Sequence, residues 1–160
     1  MRGALLVAGS MLVATEAAAK YLPGHTPTPG WNFTYGAQYQ AQQGPSVSLG
    51  FIRGITTDTA MTSGLLHQAQ PGLGGGKASA GWAVAFLGEE PYLPAMGGLA
   101  VKASVLRTWG NPHGVQAGDT YAGPELDVNL LYAKLSGGVM WRLGGSEHRA
   151  IFVWGVGAGF

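Results

Sequence analysis

From Trp31 to Phe160 the chain is built of long runs in which apolar and polar residues alternate, and no other feature restricts its fold as strongly. That period belongs to a strand with two unlike faces and not to a helix. Trp31, Phe33, Tyr35, Ala37, Tyr39 and Ala41 fall on one side of the first run, against Asn32, Thr34, Gly36, Gln38 and Gln40. After the turn signal Gln43-Gly44-Pro45, Val47, Leu49 and Phe51 oppose Ser46, Ser48 and Gly50. These two runs predict the first hairpin.

Further along, Ala78, Ala80, Trp82, Val84 and Phe86 oppose Ser79, Gly81, Ala83 and Ala85. Leu99, Val101, Ala103, Val105 and Trp109 oppose Ala100, Lys102, Ser104 and Thr108, and Gly110 to Gly118 reads as the longest polar loop. Leu126, Val128, Leu130 and Tyr132 then oppose Glu125, Asp127 and Asn129, while Leu135, Val139, Trp141 and Leu143 oppose Lys134, Ser136, Gly138 and Arg142. The last run sets Ala150, Phe152, Trp154, Val156, Ala158 and Phe160 against Arg149, Ile151, Val153 and three glycines. That makes seven runs. Thr57 to Gln68 alternates poorly, but chain ends on one side of a barrel require an even strand number, so an eighth strand is predicted there.

Charge distinguishes between β architectures. In a soluble sandwich the polar faces meet water and are rich in charge. Here charged residues make up 11% of the chain, against 46% hydrophobic residues and 28 glycines. The polar faces carry glycine, serine, alanine and a few charges, which suits a narrow interior, while Trp82, Trp109, Trp141 and Trp154 suit membrane interfaces. Most runs are about 10 to 13 residues long, the span of a tilted transmembrane strand with its ends. The sequence therefore predicts one domain, an all-β, eight-stranded antiparallel up-and-down transmembrane barrel over residues 31–160. Its external end is expected to be formed by the loops near Gln43, Gly72, Gly110 and Gly144.

Residues 1–19 read as a signal peptide, with Arg2 as the positive start, Ala4 to Val13 as the apolar run and Ala17-Ala18-Ala19 as the small-residue cleavage site. Residues 20–30, with Pro23, Pro27 and Pro29, read as an extended leader. A formal net charge of +1 with scattered Lys and Arg gives no footprint for nucleic acid. The absence of cysteine excludes disulfides and thiolate metal sites.

On its terminal motif, Trp154-Gly155-Val156-Gly157-Ala158-Gly159-Phe160, the chain resembles the small eight-stranded outer-membrane β-barrel proteins. That resemblance implies residence in a Gram-negative outer membrane, lipid as the partner of the outer face, and a monomer. It also implies that Trp154 and Phe160 belong to a tag read by the barrel-assembly machinery.

The charges on inward faces are Lys102, Glu125, Asp127, Lys134, Arg142 and Arg149. An eight-stranded barrel is just wide enough for side chains to fill, so these residues are expected to form a cross-lumen ion network and not an ion conduit. His67, with Ser63 four residues away, and the loop residue His113, with Asp119 nearby, are the starting points for a catalytic reading as a lipid A-modifying enzyme, and His148 is the remaining candidate base. Neither such enzyme family's local motif is present. Gly72 to Gly76 lacks the Lys-Ser/Thr of a phosphate loop, and the histidines lack metal-ligand spacing, so neither a cofactor nor a metal is expected. Asn32-Phe33-Thr34 fits a glycosylation pattern by chance. The expectation is a structural or surface-interaction protein without catalysis. The alternatives are the lipid A-modifying enzyme and a soluble periplasmic barrel that binds an apolar ligand.

Overall fold

The computed structural model describes residues 31–57, 61–86, 97–110, 115–144 and 149–159. The expected signal peptide and leader, His113, His148 and Phe160 lie outside the described residues. The described chain is all strand and turn: β1 (Trp31–Gln40), β2 (Gly44–Thr57), β3 (Met61–Pro71), β4 (Gly75–Phe86), β5 (Gly97–Thr108), β6 (Thr120–Leu130), β7 (Ala133–Arg142) and β8 (Ala150–Gly159). Each strand pairs antiparallel with the next, and β1 pairs with β8, closing an eight-stranded barrel.

Register fixes the bore. Paired residues lead from Trp31 through Arg53, Leu65, Trp82, Val101, Leu126 and Gly137 to Trp154. Trp154 O accepts from Ala41 N (3.1 Å), so one circuit returns to the first strand ten residues further on. For eight strands this stagger corresponds to a tilt of roughly 40° and a backbone radius of about 8 Å.

The two faces follow the alternation. Phe33, Tyr35, Tyr39, Leu49, Trp82, Val101, Leu126, Leu135, Phe152, Trp154 and Val156 are exposed outside, while Gln38, Gln40, Ser48, Gln68, Lys102, Ser104, Glu125, Asp127 and Lys134 are buried inside. Trp141 lies near the end of β7 at one rim and Phe86 at the end of β4 at the other, both exposed.

The eighth run forms a strand, displaced from 57–68 to Met61–Pro71 because β2 continues to Thr57. A register shift between Gly54 and Thr56 absorbs the irregularity. Its alternation reads weakly because both faces are mixed: Leu66 is buried in the interior beside Gln68 and Gln70, and His67 is exposed beside Leu65.

β6 begins five residues before Glu125, so it carries Pro124 in its interior. Proline cannot donate to a ladder, and pairing with β7 is interrupted between Ala122–Trp141 and Glu125–Gly138. Tyr132, expected in this strand, lies instead in the two-residue turn Leu131-Tyr132 that joins β6 to β7.

The turns that follow β1, β3, β5 and β7 share one end of the barrel. At the first, Gln43 N donates to Gln40 O (3.1 Å) and Gly44 has φ +67°, the left-handed residue that closes a three-residue hairpin. Three of these turns are stitched together. Gly74 N donates to Gln43 O (2.7 Å), Gln43 Nε2 to Gln70 O and Gly75 O, and Trp109 Nε1 to Leu73 O.

Candidate functional site: the charged lumen

Five buried ionic side chains converge inside the barrel. Lys77 Nζ lies 2.6 Å from Glu125 Oε1, and Lys102 Nζ lies 3.8 Å from the same oxygen. Lys102 Nζ is also 2.6 Å from Asp127 Oδ2, which receives Lys134 Nζ at 3.1 Å. The result is a row of alternating sign, Lys77–Glu125–Lys102–Asp127–Lys134. Strand register produces it: Lys102 and Glu125 are direct cross-strand partners, and Asp127 follows Glu125 on the same face of β6.

Neutral groups complete the row. Gln40 Nε2 donates to Glu125 Oε1 (3.1 Å), Ser104 Oγ to Glu125 Oε2 (2.8 Å) and Lys102 Nζ to Gln68 Oε1 (3.1 Å). Buried charge is tolerated only when paired and hydrogen-bonded, and here each carboxylate meets two ammonium groups.

Close glycines make room for the long side chains. A Cβ on Gly81 would fall 2.7 Å from Lys102 Cβ, and one on Gly138 would fall 3.2 Å from Glu125 Cβ. The glycines therefore allow neighbouring polar stems to lie flat against the wall.

Apolar layers bound the ionic one. Leu106, Tyr121, Met140 and Val153 pack together toward the four-loop end, joined by Val115 from the long loop. Ile52, Leu66, Ala83 and Ala100 pack toward the other end. This three-layer filling suits a packed interior better than a polar conduit.

Of the residues anticipated for the network, Lys102, Glu125, Asp127 and Lys134 are brought together. Arg142 and Arg149 are not. Arg142 Nη2 pairs with Asp119 Oδ1 (2.7 Å) at the rim, where Tyr121 Oη donates to Asp119 Oδ2 (3.0 Å), and Arg149 is exposed. Both arginines lie where β7 and β8 leave the barrel, with Arg142 N bonded to Arg149 O (3.0 Å), beyond the apolar layer that separates them from the lysines. Lys77 was not among the anticipated residues. It opens the run that continues through Ser79 and Gly81, and its phase with them is the signal that could have placed it among the inward charges.

The exposed His67 packs its ring against Phe51, with centroids 5.1 Å apart, while Ser63 is buried. Trp154 lies on the outer face with its ring centroid 6.5 Å from that of Tyr39. Among the described residues no group of three or more His, Asp or Glu side chains is placed to hold a metal ion. Compared with known proteins, the chain matches no family model, no curated protein and no solved structure.

Proposed function

We propose that this chain is a small monomeric β-barrel of a Gram-negative outer membrane, with a structural or surface-interaction role and no catalytic chemistry. The observation that carries the reading is the inversion of its faces. Phe33, Leu49, Trp82, Val101, Leu135, Phe152 and Trp154 are exposed around the outside, while Lys77, Lys102, Glu125, Asp127 and Lys134 are buried within. A barrel in water gains by the opposite arrangement; lipid favours this one. Lipid is then the partner of the outer face, and the end that carries the turns after β1, β3, β5 and β7 is the surface-exposed one. Trp154 and Phe160 are the proposed assembly signal.

Fractionation tests this reading. The protein, expressed with its N-terminus intact, is expected in the carbonate-resistant membrane fraction. It is also expected to change gel mobility on boiling after detergent extraction. Recovery in the aqueous fraction without detergent would overturn the membrane assignment and favour the soluble barrel.

A further inference from the structure

Two features of the outer wall lie side by side near the end that carries the turns after β1, β3, β5 and β7. The first is a groove of about 730 Å³ walled by Tyr39, Pro45, Val47, Pro71, Leu73 and Val156. Its volume falls in the range of small-molecule sites, roughly 300 to 1,000 Å³. None of the residues that line it is charged, so it suits hydrocarbon and not an ion.

The second feature is Arg107, the penultimate residue of β5, exposed on the outer face. Its Nη1 donates to Thr120 Oγ1 (2.7 Å), and among the described residues no carboxylate pairs with it. Asp119, at the same end, is taken by Arg142 Nη2 and Tyr121 Oη. The remaining N–H groups of the Arg107 guanidinium form a planar fork that suits phosphate.

Register joins the two. Pro71 pairs with Gly76, and Gly76 with Arg107, so the backbones of Pro71 and Arg107 are two strand spacings apart, about 10 Å. Trp109 bridges that distance. A Cβ on Gly76 would stand 2.7 Å from Trp109 Cη2, which lays the indole over Gly76, and Trp109 Nε1 donates to Leu73 O (2.9 Å) at the edge of the groove. An uncharged groove, an indole and a cation without an acidic partner thus follow one another along the wall. A membrane lipid presents chain, interfacial region and phosphate in that order.

From this juxtaposition we propose that the rim binds one phosphorylated lipid, with an acyl chain in the groove and its phosphate on Arg107. The inference rests on the reading of the outer face as lipid-facing and names the class of lipid that this face selects.

The full chain, purified in a non-ionic detergent, is titrated in mixed micelles with radiolabelled dilauroyl phosphatidic acid. Saturable binding of one lipid per chain is expected. Dilauroylglycerol, which carries the chains alone, and inorganic phosphate, which carries the head alone, are expected not to compete at equal concentration. Arg107→Gln is expected to weaken binding about tenfold or more, the loss of a hydrogen bond to a charged group. Val47→Trp, which fills the groove, should weaken it several-fold. Arg53→Gln, which removes an exposed arginine outside the site, should leave it unchanged. Circular dichroism verifies that each variant folds, and Leu73→Asp replaces Val47→Trp if the latter does not. Unsaturable uptake, equal competition by dilauroylglycerol or by phosphate, or full affinity in Arg107→Gln or in the groove variant would each overturn the site. The titration needs no bilayer, so its failure is separable from that of the membrane reading. A protein recovered in the aqueous fraction that still binds phosphatidic acid loses only the membrane assignment, and one held in the membrane fraction without this preference loses only the site.

Discussion

Lys102 Nζ stands 2.6 Å from Asp127 Oδ2 and, with a side chain fully excluded from solvent, joins the two carboxylates of the lumen. Its removal leaves Glu125 with Lys77 and Asp127 with Lys134, each carboxylate losing one of its two ammonium partners. Lys102→Met is therefore expected to cost about 1.5 to 3 kcal/mol of stability, the range for a lost hydrogen bond to a charged group, measured by urea unfolding of the detergent-solubilised or lipid-reconstituted protein. The double variant Lys102→Met/Asp127→Asn should lose less than the sum of the two single changes, by about 1 to 3 kcal/mol of coupling. Strict additivity would mean that the two side chains do not interact.

Gly137 and Gly138 are adjacent, yet their alanine variants should behave differently. A Cβ on Gly137 meets nothing closer than Phe152 Cζ at 3.9 Å, whereas one on Gly138 collides with Pro124 O and falls 2.9 Å from Glu125 Cα. Gly137→Ala is expected to be neutral or slightly stabilising, and Gly138→Ala to cost about 1 to 3 kcal/mol. Parallel unfolding curves for the two proteins check this.

Leu131 has φ +53° in the exposed turn between β6 and β7, a conformation that a branched side chain resists. Leu131→Asn or Leu131→Gly should raise stability by up to about 1 kcal/mol through relief of that strain. A midpoint no higher than that of the parent would show that the turn is held by other contacts.

Val101 is 63% exposed in the middle of β5, with its side chain on the outer face. Against lipid, Val101→Arg should cost about 2 to 4 kcal/mol near the bilayer midplane. On a surface facing water the same change should stay within about 0.5 kcal/mol. Refolding the variant into vesicles and measuring its unfolding free energy separates the two environments.

Alternation is a backbone property written residue by residue, so the two faces of each run and most of the turns were readable in the chain alone. Gly44 and the glycines around position 74 marked hairpin tips, and the even strand number pointed to β3 although its own pattern was weak. The limits of β3 were not readable, because the end of β2 and the irregularity near Gly54 are set by pairing and not by local sequence. The start of β6 was hidden in the same way, since a proline within a strand interior is tolerated only where a neighbouring ladder gives way.

The lumen divides similarly. Inward phase identified Lys102, Glu125, Asp127 and Lys134 as candidates for one network. Phase gives direction around a strand but not height along the barrel, and height depends on register and on the ten-residue stagger accumulated over eight pairings. Only the closed barrel placed Lys77 in the ionic layer, moved Arg142 out to Asp119 at the rim, left Arg149 exposed, and set apolar layers above and below the charges.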